Sequence, residues 1–255
     1  MEAGEGYEGR IGRYGAQLAQ ALIAVSSIAA GQRVLEVGCG SGALTVHLTE
    51  VTAPEDLVGL DPDLDALATC AVRAPGVELV QGWAEELPFS EDSFDAVVSQ
   101  LVVGLMSDPP AGVREMRRVA RPSAPVTSCV WDFAEGMTVL RQFWDAGYAV
   151  DPDAAAKFDQ AATHAYCTPE GLRTLWDAAG FSQVDVGALT ATARYLDFDD
   201  LWQPMTVPDG APGKFVETLS AQRRDSLREK LHRRLDAPEG SFELEARAWY
   251  VTGRA

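Results

Sequence analysis

The chain has 255 residues, 47% of them hydrophobic and 23% charged, with 38 acidic against 21 basic side chains and a formal net charge of -17. Such a composition suits an ordinary folded domain and excludes a disordered or fibrous chain. So acidic a surface repels phosphate backbones and anionic bilayers at long range, and neither nucleic-acid nor membrane partners are expected.

The first residues, MEAGEGYEGRIGRYG, are acidic and then glycine-rich, without the basic and apolar stretches of a signal peptide. No apolar run nears the roughly 18 residues that a membrane span needs. Cys39, Cys70, Cys129 and Cys167 are widely separated, with neither CxxC pairing nor a histidine at zinc-ligand spacing. They read as reduced thiols in a cytoplasmic protein, with no metal site.

Residues 14–30 carry apolar positions at helical spacing, closed by Gly31, and predict a leading helix. A strand at 33–37, the turn GCGSG and the helical stretch ALTVHLTE follow directly. A second strand at 56–61 precedes a helix at 63–72, and further strands are expected at 77–82 and 94–100. The last of these is nearly continuous in apolar residues, as buried parallel strands are. DPPAGVREMRRVARP starts as a helix on Asp-Pro and ends at Pro122, before a strand at 124–133. Residues 134–168 are aromatic-rich and helical in pieces, and TPEGLRTLWDAAGF restores a capped amphipathic helix with a stop at Gly180. A sixth strand at 182–190, a helical stretch at 197–236 and an alternating strand at 241–254 complete the chain. This alternation predicts an α/β, Rossmann-like, doubly wound sheet of seven mostly parallel strands, the last antiparallel. The expected organisation is one domain over 1–255. It has an N-terminal lid helix at about 10–30, a core at about 31–133, and helical cap inserts at about 134–168 and 197–236.

The sharpest motif is VLEVGCGSG at 34–42. Gly38, Gly40 and Gly42 permit a tight turn after a strand and close approach of a ligand to the backbone. Alone, GCGSGA also satisfies the dinucleotide pattern GxGxxG/A, with Ala43 in third place. Two acids separate the readings. Glu36 lies inside the motif, where a nicotinamide-binding fold keeps an apolar residue, and Asp61, followed by Pro62, ends the second strand where it can accept from a ribose diol.

Over residues 33–131 these motifs resemble the class I S-adenosylmethionine-dependent methyltransferases, in the small-molecule branch that includes the ubiquinone and menaquinone biosynthesis enzymes. The resemblance implies that Gly38 and Gly40 line the methionine part of the cofactor, Glu36 lies near its amine, and Asp61 and Pro62 lie at the ribose. GWAEELPF at 82–89 stands where the family has G-D-A-E-x-L-P-F beside adenine. Ala84 and Glu85 match. Trp83 replaces the aspartate, which removes the usual carboxylate contact and offers a ring for stacking instead. SFDAVVSQLVVGLM resembles the fourth-strand motif, implying Gln100 and Leu101 near cofactor and Val103, Gly104 and Met106 near substrate. REMRRVARPSAP resembles the family's R-E-x-x-R-V-L-R-P-G-G, with Ser123 and Ala124 for the glycines. Arg13 and Tyr14 stand where related enzymes fold a lid over the cofactor carboxylate, for which an Arg fork is suited.

Methyl transfer from a sulfonium needs positioning and desolvation more than acid-base machinery. For acceptors that do need a base, His164 and Asp132 are the candidates, His164 in the aromatic insert and Asp132 at the end of the fifth strand. His47 and His232 read as structural. The aromatic insert is either an apolar pocket or a cap's own core. The basic run 222–234 reads as a solvated helix face. The function implied is methylation of an O, N or C atom of a small molecule. The alternatives are a non-methylating S-adenosylmethionine-binding enzyme, an NAD-dependent oxidoreductase, and a non-enzymatic cofactor-sensing module.

Overall fold

A computed structural model describes residues 9–255, apart from the side chain of Thr163; residues 1–8 of the acidic start lie outside it. Seven strands form one sheet: β1 (Val34–Val37), β2 (Leu57–Asp61), β3 (Glu78–Gln81), β4 (Ala96–Gln100), β5 (Pro125–Trp131), β6 (Ser182–Tyr195) and β7 (Phe242–Arg254). Their order is β3-β2-β1-β4-β5-β7-β6, with β7 antiparallel to β5 and the pairs among β1 to β5 parallel. This is the expected doubly wound arrangement. Every residue of β1 and of β5 is buried, which is why these strands read as apolar runs rather than alternating ones.

The order reverses between β1 and β4, so the two strands run side by side while their following segments diverge. The C-terminal ends of strands at such a reversal open a crevice. Local chemistry sets the flanking helices. Asp63 accepts from the amides of Asp65 and Ala66 to start Leu64–Arg73, Asp108 caps Pro109–Val119, and Thr168 caps Pro169–Ala179, which Gly180 ends in the left-handed region.

Two helices are shorter than their sequences suggest. The first, Gly15–Ser26, stops before Gly31 because the Ser26 hydroxyl turns back to the Ile23 carbonyl and accepts from the Ile28 amide, while Ser27 takes a positive φ. The stretch after the glycine turn is helical only over Thr45–Leu48, where β-branched Thr45 and Val46 are poor helix formers. β6 is longer than expected and runs to Tyr195.

The chain forms two compact units. One comprises residues 16–131, 166–189 and 248–255, and holds β1 to β5 with the glycine turn. The other comprises, of the described residues, 9–15, 132–165 and 190–247. Its aromatics make a core of their own: Trp144 packs on Phe143 and Phe215 at ring separations of 5.0 and 5.5 Å, and its indole N–H donates to the Gln160 side chain at 2.8 Å. Of the two readings of the aromatic insert, the cap core describes Phe143 and Trp144. No helix among the described residues is long and apolar enough to cross a membrane.

The glycine turn has a stringent steric requirement. Gly38 has φ +74°, and a Cβ there would lie 2.3 Å from Val102 Cγ2, whereas a Cβ on Gly40, at φ +51°, would meet nothing within 4 Å. Gly38→Ala is therefore expected to cost about 2–3 kcal/mol, and Gly40→Ala about 1 kcal/mol from backbone strain alone. Urea midpoints of the two variants check the ranking.

Candidate functional site

The glycine turn leaves β1 and is held by β2. The amides of Gly38 and Cys39 both donate to the Leu60 carbonyl, at 2.7 and 3.0 Å, and the Gly42 amide donates to Cys39 O at 2.9 Å. The Gly40 amide donates to Asp61 Oδ2 at 2.8 Å, while Asp61 Oδ1 accepts from the Asp63 amide at 3.0 Å. Asp61 is half-buried, and each carboxylate oxygen has a further lone pair for a ligand. Pro62 beside it offers its carbonyl to Gln81. The open space at Gly40 is therefore flanked by an acid of fixed orientation.

Glu36 lies beneath the same turn and is 1% exposed. Thr45 Oγ1 donates to its Oε2 at 2.7 Å, and Cys70 Sγ donates to Thr45 Oγ1 at 3.5 Å. Burial pushes the Glu36 carboxyl up from 4.5 to about 8, with the Thr45 hydrogen bond opposing and Cys70 and Asp61 adding to the rise. Sequence reasoning identified Glu36 but missed Thr45 and Cys70, nine and 34 positions away along the chain. Only the turn of the chain after Gly42 brings them together.

At the end of β4, buried Gln100 Oε1 has no hydrogen-bond partner among the described residues. Leu101, whose amide donates to Cys129 O at 2.9 Å, takes φ +65°, a rare conformation for a large L-residue. An orphaned acceptor and a strained backbone side by side are common marks of a ligand site. In the 82–89 segment Trp83 is 60% exposed and Ala84 is buried, and the Trp83 carbonyl accepts from the Glu86 amide. Glu85 accepts from the amides of Ser107 and Asp108, at 2.7 and 3.2 Å, and so ties this segment to the loop after β4. Val103 is buried there, Gly104 and Met106 are half-buried, and Met106 Sδ would lie 2.5 Å from a Cβ on Gly112.

The remaining predicted residues belong to the other unit. Arg13 is engaged within the chain: its two terminal nitrogens donate to the Asp200 carboxylate at 3.1 and 3.2 Å, Nε donates to Gly9 O, and the guanidinium lies over the Tyr195 ring. The Tyr14 hydroxyl, buried, meets that of Tyr195 at 3.2 Å. Asp132 is likewise paired within the chain. It is 3% exposed, Arg247 Nε donates to its Oδ2 at 2.8 Å, and the Glu135 amide donates to its Oδ1. A buried carboxylate so paired anchors the end of β5 to Arg247. His164 is half-buried with its ring 5.2 Å from that of Phe133. The basic helix Ala221–Arg234 pairs Arg223 with Asp151, Arg228 with Asp199 and Arg234 with Asp145, so much of its charge is neutralised within the chain. None of the four cysteines is in a disulfide, and all are buried.

Residues 35–126 match the methyltransferase domain family. A fatty-acid O-methyltransferase of Mycolicibacterium smegmatis is 37% identical over 114 residues, covering 44% of this chain and 41% of that protein. The chloroplastic 2-phytyl-1,4-beta-naphthoquinone methyltransferase of Arabidopsis thaliana is 32% identical over 171 residues, covering 60% of this chain and 65% of that protein. The chain spans less than half the length of the first curated relatives it matches. Among solved structures, the (4+2)-cyclase SpnF superposes with a TM-score of 0.58 at 16% identity, over 93% of this chain and 80% of that one. At that identity the likeness is one of fold.

Two outcomes follow from the buried carboxyls. A folded-state pKa raised from 4.5 to about 8 means that Glu36 favours the fold below pH 4.5, and that this contribution declines as pH rises toward 8. Glu36→Gln removes that decline, so its melting temperature relative to the unaltered chain should rise between pH 5 and pH 8, as thermal scans at both values would test. Asp132→Asn breaks a buried ion pair and should cost about 2–3 kcal/mol in urea unfolding.

Proposed function

We propose that the chain is a class I S-adenosylmethionine-dependent methyltransferase and that it transfers a methyl group from this cofactor to a small molecule. The observation that carries the reading is the bond from the Gly40 amide to Asp61, which sets a carboxylate against the open side of the glycine turn. The residues fit the cofactor. The carboxyl of Glu36 suits the methionine ammonium, Gly38 and Gly40 leave room for the methionine chain, and Asp61 with Pro62 suits the ribose hydroxyls. Ala84 and Glu85 border an adenine site against which the exposed Trp83 ring can stack, and Gln100 Oε1 and Leu101 face the methionine end.

When bound, the sulfonium supplies a methyl group already activated for displacement. The chain's own residues then have to orient the acceptor and keep water out. Val103, Gly104 and Met106, on the loop after β4, are the residues proposed to meet the acceptor. With Asp132 held by Arg247, His164 is the remaining candidate for receiving an acceptor proton, where the acceptor has one to lose. The two relatives' names, a fatty-acid and a naphthoquinone methyltransferase, favour an acceptor with a substantial apolar body. We read residues 134–168 and 197–236 as the cap inserts that select it, and the protein as a cytoplasmic enzyme.

A second reading has one observation behind it: the same fold serves a cyclase. It differs from the first in the product, which would lack the mass of the added methyl group.

Calorimetric titration with S-adenosylhomocysteine, with NADH as control, tests the cofactor assignment. Saturable binding of the first and none of the second is expected, with Asp61→Ala weakening it about 10- to 100-fold through loss of charge-assisted hydrogen bonds. Binding of NADH alone would overturn the assignment. A mass-shift screen of apolar acceptors then separates methyl transfer from the second reading.

A further inference from the structure

Glu36 is held in an unusual way for a counter-charge. It is 1% exposed, two residues before the glycine turn, and Thr45 Oγ1 donates to one of its oxygens at 2.7 Å. Thr45 is itself oriented, because its oxygen accepts the Cys70 thiol at 3.5 Å and its hydroxyl proton is thereby directed to Glu36. Thiol, hydroxyl and carboxyl thus form a relay from the Leu64–Arg73 helix through Thr45 to β1.

The groups acting on Glu36 are Thr45 on the short helix, Cys70 on the neighbouring helix and Asp61 at the end of β2; Cys39 in the turn feels its charge in return. None of these side chains is cationic. Arg73, which acts on Cys70, donates to the Ser41 carbonyl and hydroxyl. A carboxylate enclosed by a hydroxyl, a thiol and a second carboxylate is poorly compensated, so the carboxyl keeps its proton. Burial accordingly pushes it up to about 8.

We propose that Glu36 releases its proton to solvent when a cationic ligand group enters the glycine turn, and that Thr45 is the positioning residue that holds the resulting carboxylate toward that group. The inference rests on the cofactor reading given above and deepens it. The Glu36 O–H bond breaks, the proton passes to buffer, and the ligand's ammonium replaces it as counter-charge, with no redox change. By reciprocity, what makes the ligand expel the proton makes a falling proton concentration tighten the ligand.

The test uses the full chain and S-adenosylhomocysteine, whose amine is cationic at neutral pH. Titration calorimetry at pH 7.0 in two buffers of different ionisation enthalpy counts protons directly. Release approaching one proton is expected, with Kd falling by up to about tenfold per pH unit between pH 6 and pH 7.5. Glu36→Gln should abolish both the release and the pH dependence. Thr45→Ala should weaken binding about tenfold and move the pH profile upward, since it removes a hydrogen bond that favours the ionised carboxyl, while Thr45→Ser restores both. Melting temperatures taken alongside separate a folding defect from a binding one. Saturable binding with no proton release, or with release that persists in Glu36→Gln, overturns the inference while leaving the cofactor reading in place. Failure of the unaltered chain to bind S-adenosylhomocysteine at any pH overturns both.

Discussion

The hydrogen bond from the Gly40 amide to Asp61 is the constraint on which the candidate site depends. It joins the turn after β1 to the end of β2, the two strands that pair in parallel from Val34–Leu57 to Val37–Leu60. The same register brings the Leu60 carbonyl under the amides of Gly38 and Cys39. A turn anchored at three successive amides has little freedom, and its rigidity is inherited by everything built on it. The chain can then pass from Gly42 into Thr45, which returns a hydroxyl to Glu36. Gly38 permits the close packing of Val102 that brings the loop after β4 against the turn. Glycine is needed at Gly38 because a side chain has no room there. At Gly40 the space is open, and what matters is the backbone angle.

The fold was legible because its signals are local and repeated. Apolar runs bounded by glycine and proline marked the buried strands, and Asp63, Asp108 and Thr168 marked helix starts that their side chains do cap. Element ends were less legible, since they turn on single side-chain contacts such as that of Ser26 with the Ile23 carbonyl. In the candidate site, residues within a motif were found and residues joined through space were not. Glu36 and Asp61 stand at fixed distances from the glycines, whereas Thr45 and Cys70 become neighbours of Glu36 only after the chain has folded back. Arg13 and Asp132 also have partners that the sequence did not announce, because a charged side chain suited to a ligand is equally suited to a partner within the protein. Asp200 and Arg247 are those partners, 187 and 115 residues away, and no spacing rule announces them.

The arrangement of donors around the turn also bears on which of two cofactors the glycine motif suits. A dinucleotide places a doubly charged pyrophosphate against such a turn and is held by amides that point at it. Here the amides of Gly38 and Cys39 are bound to Leu60 O, that of Gly40 to Asp61, and that of Gly42 to Cys39 O. An incoming phosphate would therefore meet these occupied amides and the Asp61 carboxylate, in a chain of net charge -17. Each of these terms is unfavourable to an anion. A ligand carrying a neutral diol would meet neither penalty, since a diol can donate to Asp61 and the occupied amides cost it nothing. The glycines alone permit either kind of ligand, and it is Asp61 and the occupied amides that disfavour an anion.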